Sequence, residues 1–253
     1  MRFAAGVEYN GARFHGWEIQ QPEIRTVQGE VEKALSKVAN HFVRVITAGR
    51  TDTGVHASGQ VIHFESDAPR SERAWVYGAN ANLPSDVCLS WVQPVSDEFH
   101  ARFSALSRSY RYVIFNRPVR SAISVAERTW VYRPLDEQRM QVAANDLVGE
   151  HDFSSYRAVA CQAKSPVRTI HRLEVVRQGE EITINVNANA FLHHMVRNIA
   201  GVLIAIGSGV QSPGWAREVL ELRDRAQGGV TAPPEGLSLI KVEYPESLID
   251  FKC

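Results

Sequence analysis

Two hydrophobic stretches, Phe42-Val43-Arg44-Val45-Ile46 and Val61-Ile62-His63-Phe64, enclose the run Ala48-Gly49-Arg50-Thr51-Asp52-Thr53-Gly54-Val55-His56-Ala57. A polar, glycine-bounded segment between apolar runs is the pattern of a turn joining two core strands. The turn places a guanidinium and a carboxylate two residues apart in a rigid frame. Arg50 could pair with Asp52 and keep it ionised at neutral pH, and Gly54 lets the backbone pass close to a ligand. An ionised carboxylate held this way can act as nucleophile, base or metal ligand. A lone Asp in a turn is more often a local cap, so Asp52 needs its neighbours to stand as a site. Metal binding is disfavoured, since His56 and His63 are isolated and His193 and His194, adjacent on a helix, would point about 100° apart.

Strands are predicted over 2–9, 42–47, 59–65 and 87–93, with a helix after the N-cap Thr26, where Val27, Val31, Leu35 and Val38 share a face, and another over 70–81. The second half repeats this grammar. Strands are predicted over 108–116, 127–132, 167–178, 181–189 and 238–244, and helices over 136–147, 191–206 and 214–223. The expected fold is α+β, with two similar sheet-and-helix halves sharing a largely antiparallel central sheet and a cleft between them. Residues 1–104 would carry the Asp turn, and 105–253 the strand around Tyr110 and the helix around Arg197.

The chain has 253 residues, 44% of them hydrophobic, enough to bury a full core. It has no apolar run of membrane-spanning length and no secretory leader at the N-terminus, so a cytoplasmic protein without membrane contact is expected. Cys88, Cys161 and Cys253 form no CxxC pair, which predicts reduced, incidental thiols and no structural zinc.

The net charge is +0, which by itself argues against an anionic partner. The distribution argues otherwise. Of the 28 basic residues 23 are Arg, the side chain whose planar fork suits phosphate and base edges. Residues 99–126 hold five Arg and no acid, and 153–173 hold Arg157, Lys164, Arg168 and Arg172, again without an acid. Solvated Arg-rich strands and a groove for an anionic polymer both fit this pattern.

Two further constellations stand out. On a strand, Arg108, Tyr110 and Tyr112 share one face and Arg111 takes the other. Aromatics interleaved with Arg can stack a base beside its phosphate, although cross-strand packing fits equally well. In the apolar run Phe191-Leu192-His193-His194-Met195-Val196-Arg197-Asn198-Ile199, Arg197 would be costly to bury unpaired, and Asp52 is the partner to test; snorkelling to the helix end is the alternative.

Together these residues resemble the TruA family of tRNA pseudouridine synthases. The run 49–57 is similar to its catalytic signature, with Asp52 at the essential aspartate. The blocks Tyr9-Asn10-Gly11, Phe14-His15-Gly16-Trp17, Thr26-Val27-Gln28, 99–112, 191–201 and Ala232-Pro233-Pro234-Glu235-Gly236-Leu237 follow in family order over almost the whole chain. One departure is visible: where the family often has Gln after the Trp, this chain has Glu18. The resemblance implies the pseudouridine synthase fold and isomerisation of uridine to pseudouridine at positions 38, 39 and 40 of the tRNA anticodon stem-loop. It implies no cofactor, no metal and a homodimer. Asp52 would be the catalytic group and Arg50 or Arg197 its charge partner, with Tyr110 stacking on the uracil. Arg108, Arg111 and His56 are the further substrate-binding candidates. A non-catalytic RNA-binding protein is the rival reading. A glycosidase is disfavoured because no second acid lies near Asp52.

Overall fold

The computed structural model describes residues 1–21, 23–123, 125–159 and 161–249. The chain forms two compact units, Met1–Ser107 with Ser238–Cys253, and Arg108–Leu237.

In the first unit β1 (Arg2–Tyr9) is followed by α1 (Val27–Ala39), β2 (Val45–Thr47), β3 (His56–Glu65), α2 (Glu72–Asn80) and β4 (Val87–Val95). β1 is central, antiparallel to β3 on one side and β4 on the other. Six of its eight residues are buried, which is why its sequence is nearly continuously apolar rather than alternating. β2 extends the sheet beyond β3. The final strand, β10 (Leu237–Glu243), lies parallel to β3 through Ser238↔His56 and Leu239↔Ala57. The sequence places this strand in the second half; the chain instead carries it back into the first unit. The Thr26 hydroxyl accepts from Gly29 N and caps α1, which buries Val27, Val31 and Leu35.

The strand expected over 42–47 begins only at Val45. Val43 N donates to Ser36 Oγ at 2.9 Å and Val45 N to Glu32 Oε1 at 3.0 Å, so helix side chains take the bonds that a strand partner would need. Phe42 is left exposed.

His63 faces the core from β3, and its Nδ1 accepts from Ala101 N at 3.1 Å. Burial, reinforced by the neighbouring His100 and Arg2, pushes its pKa from 6.5 down to about 4, against a smaller opposing pull from Glu65. Above about pH 6.5 both folded and unfolded chains hold this ring neutral. Between 6.5 and 4 only the unfolded chain takes up the proton, so the stability tied to a neutral His63 is complete above 6.5 and drains away as pH falls towards 4. We expect roughly 2 kcal/mol less stability at pH 5 than at pH 7 from this residue. Denaturant titrations of wild type and His63→Gln at the two pH values check it: the variant keeps an acceptor but should show the shallower pH slope.

In the second unit β5 (Ser107–Asn116) pairs antiparallel with β9 (Glu181–Ala188) and parallel with β6 (Thr129–Val131). β8 (Val167–Gln178) lies beyond β9, with β7 (Gly149–Asp152) at its outer edge. The helices are α3 (Glu137–Asn145), α4 (Met195–Gly207) and α5 (Trp215–Leu222). The polar Gly-Glu-His-Asp of β7 carries no strand signal, because only its backbone ladder to β8 makes it one. No described helix is long and apolar enough to cross a membrane. Cys88 and Cys161 are free thiols, and Cys253 lies outside the described residues.

Candidate active site

The first candidate group is the turn between β2 and β3, and backbone bonds hold it from several sides. Val55 N donates to Asp52 O at 3.1 Å, and Gly54 at φ 80° supplies the left-handed third position of a type II turn. Trp17 N donates to Thr51 O at 3.0 Å and Gly54 N to Phe14 O at 3.3 Å, so the 14–17 loop lies along the turn. Beneath it the Thr51 hydroxyl bonds Tyr9 OH at 2.7 Å, and Gln60 Nε2 donates to Gly49 O at 2.7 Å. Gln60 is fully buried, and burial raises the Tyr9 phenol to about 12, so this layer stays neutral. Asp52 emerges half-buried from a turn that is braced before any substrate arrives.

Arg50 takes a different partner from the one expected. Its Nη1 lies 2.7 Å from Glu18 Oε2, and both side chains are about half exposed. The reason is the 14–17 loop: its bonds to the turn carry Glu18 alongside Arg50. His56 is buried and its Nδ1 accepts from Gly11 N at 3.0 Å, so the ring ties the 11–13 segment to the end of the turn.

The second unit holds the remaining candidates. On β5, Arg108, Tyr110 and Tyr112 share a face as expected, and all three are buried, whereas Arg111 is exposed and donates to Asn185 Oδ1 at 3.1 Å. Arg108 Nη1 donates to Asn189 O at 3.0 Å. Phe191 meets the Tyr110 ring edge-on, with centroids 5.0 Å apart. Tyr112 is a core residue: its OH donates to Pro233 O at 2.9 Å and lies 2.6 Å from Thr129 Oγ1, which must then be the donor of that second bond. Burial pushes its phenol far above the ordinary range.

The helix expected from residue 191 begins at Met195. His194 at φ 62° is in the left-handed region, which α-helix cannot continue through, so His193 and His194 occupy the turn before α4. Their rings are 4.1 Å apart, not splayed around a helix, and the spacing argument against this pair as ligands falls.

Arg197 stands on the first turn of α4, where Nε donates to Ala232 O at 2.8 Å and Ala232 N returns a bond to Arg197 O at 3.1 Å. The 228–233 segment is fixed in turn by a network that the sequence does not reveal. Asn198 is buried and donates to Tyr156 O at 2.7 Å, while its Oδ1 accepts from Thr231 Oγ1 at 2.6 Å and Arg225 Nη2 at 3.1 Å. Asn198, the other polar residue beside Arg197 in an apolar helix, is the sequence signal for it.

Comparison with known proteins gives a consistent result. The family described as tRNA pseudouridine synthase matches residues 5–104 and 143–245. The chain is similar to tRNA pseudouridine synthase A of Nitrosococcus oceani, with 60% identity covering 97% of this chain and 95% of that protein. It is similar also to tRNA pseudouridine synthase A of Alcanivorax borkumensis, with 58% identity covering 97% and 92%. The protein of that name from Pseudomonas aeruginosa is 56% identical over 96% of this chain and 86% of its own.

Proposed function

The chain belongs to the tRNA pseudouridine synthase family, and from that premise we propose that Asp52 is the catalytic carboxylate with which it converts uridine to pseudouridine at positions 38, 39 and 40 of the tRNA anticodon stem-loop. The observation that carries the assignment is the bracing of the Asp52 turn. Contacts from Phe14, Trp17, Tyr9 and Gln60 fix the backbone before RNA binds, so little reorganisation remains for the chemical step.

In the reaction the C1′–N1 glycosidic bond breaks, the uracil turns over in place and C1′ bonds to C5. The C5 hydrogen leaves to water and N1 regains a proton. Asp52 assists the cleavage. Tyr110, its ring fixed edge-on by Phe191, stacks on the uracil, and Arg197 serves the reaction as a cation held in place by Ala232. On the same strand the exposed Arg111 contacts the RNA, while the buried Arg108 acts from the face it shares with Tyr110. The isomerisation as written needs no cofactor. The enzyme acts in the cytoplasm as a homodimer, a symmetric pair able to meet an elongated RNA with both subunits. A target base in or beside a stem must leave its stack, at a cost of a few kcal/mol that Tyr110 stacking offsets.

The test is tritium release from an anticodon stem-loop labelled at uridine C5. The intact protein is expected to release tritium without accumulating free uracil. No release would remove the proposed reaction, and uracil accumulation would replace it with glycoside hydrolysis.

A further inference from the structure

We propose that residues 99–106 form a second RNA contact, in which the exposed Phe103 ring stacks on a nucleobase of the bound RNA, away from the uridine that reacts. This rests on the reading above that the chain binds tRNA.

The segment is anchored deep and turned outwards. Phe99 and Ala101 are completely buried; Ala101 N donates to His63 Nδ1 at 3.1 Å and its carbonyl accepts from Tyr244 OH at 2.6 Å. Between these anchors and Leu106, whose N donates to Glu243 O at 2.8 Å, the chain winds around His100. Its Nδ1 accepts from both Arg102 N at 3.2 Å and Phe103 N at 3.1 Å. Ser104 closes the turn from the other side, its Oγ accepting from His100 N at 3.0 Å and its N donating to His100 O at 2.9 Å. This arrangement needs a neutral imidazole. Burial, with Arg2 and Arg102 nearby, holds the His100 pKa below its ordinary value.

The product of these bonds is an exposed aromatic ring. Phe103 is 76% exposed, supported on one side by the His100 ring at 4.4 Å, with the Arg102 guanidinium 5.6 Å from its centroid. Single exposed apolar side chains are ordinary, but this one is held out by backbone bonds on both sides rather than left on a loose loop. Phe103 and Leu106 are the large apolar side chains this segment exposes, and two side chains fall short of the several hundred Å² that each partner brings to a stable protein interface. A nucleobase needs only one face. The charge beside the ring agrees: the Arg102 guanidinium sets a cation next to the stacking face.

Position within the first unit separates this contact from the chemistry. Ala101 is bonded to His63, seven residues along β3 from His56, where the Asp52 turn ends. At the rise of a β-strand that is about 23 Å. Phe103 therefore grips a different nucleotide, and its loss should weaken binding without slowing the bound reaction.

The experiment measures binding of a fluorescently labelled full-length tRNA transcript to the intact protein, together with tritium-release kinetics. Phe103→Ala is expected to raise Kd and KM about tenfold with kcat unchanged, while Phe103→Trp stays within about twofold of wild type. Equal unfolding midpoints would show that the exposed substitution leaves the fold intact. If Phe103→Ala binds as wild type does while the wild type isomerises uridine, the inference is overturned and the functional reading stands. If instead light scattering shows the variant losing half the particle mass of the wild type, the ring belongs to subunit association and the inference is equally overturned. A wild-type protein that neither binds nor isomerises the transcript would sink the functional reading, and this inference with it.

Discussion

Asp52→Asn is expected to lower tritium release about 10⁴-fold or more while tRNA binding and the unfolding midpoint stay near wild type. The substitution keeps the size and planarity of the side chain, removes its negative charge and turns one acceptor oxygen into an amide donor. The turn survives it, because the bonds that set its shape come from the backbone: Val55 N to Asp52 O, Trp17 N to Thr51 O and Gly54 N to Phe14 O. A factor of 10⁴ corresponds to about 5.4 kcal/mol of transition-state stabilisation, a size that fits removal of a reacting group rather than of a binding contact. Asp52→Glu keeps the charge but moves the oxygens outwards by one methylene, and a misplacement near 1 Å costs roughly 10²-fold. The order wild type, Glu, Asn in single-turnover rates therefore separates charge from position. Wild-type turnover by Asp52→Asn would end the catalytic assignment.

Gly11→Ala is expected to be strongly damaging although Gly11 touches no substrate. A Cβ on Gly11 would lie 2.0 Å from Val55 O and 2.5 Å from Val55 C. Both obstructing atoms are backbone, so no rotamer change relieves the clash, and the 11–13 segment must move away from residues 55–56. That movement breaks the bond from Gly11 N to His56 Nδ1 and leaves a buried imidazole nitrogen without it. We expect a loss of about 2–4 kcal/mol in chemical denaturation, and a fall in kcat larger than the unfolded fraction explains, because Asp52 sits three residues from the displaced Val55. Gly179→Ala is the control. At φ 60° it strains the backbone, yet nothing lies within 4 Å of the added carbon, so its cost should be only about 1 kcal/mol. Equal effects at the two positions would show that the clash at Val55 is relieved by some other movement.

Local patterns in the sequence carried much of the fold. Strands over 2–9 and 167–178 have the predicted ends, and Thr26 caps α1 through its own hydroxyl. These elements are legible because side chains within a few residues of one another decide them. Where the outcome differs, a distant group has taken over. Ser36 and Glu32 draw 43–45 towards α1 and shorten the strand expected there; the left-handed His194 delays α4 by four residues; β7 exists only because β8 offers it a ladder.

The candidate site divides in the same way. Asp52, Tyr110 and Arg197 could be nominated from residue type and context, since a glycine-bounded acid, an Arg-interleaved Tyr and an Arg in an apolar helix are each costly to keep without a use. Their partners could not be nominated, because hydrogen bonds and ion pairs depend on which loops lie side by side. The 14–17 loop brings Glu18 to Arg50, the Tyr9 and Gln60 layer supports Thr51, and Asn198 with Arg225 fixes the segment that holds Arg197. The sequence by itself determined the chemistry on offer, because side-chain type sets charge and reactivity. Tertiary structure decided which charge meets which, because that is a matter of a few ångströms between residues distant along the chain.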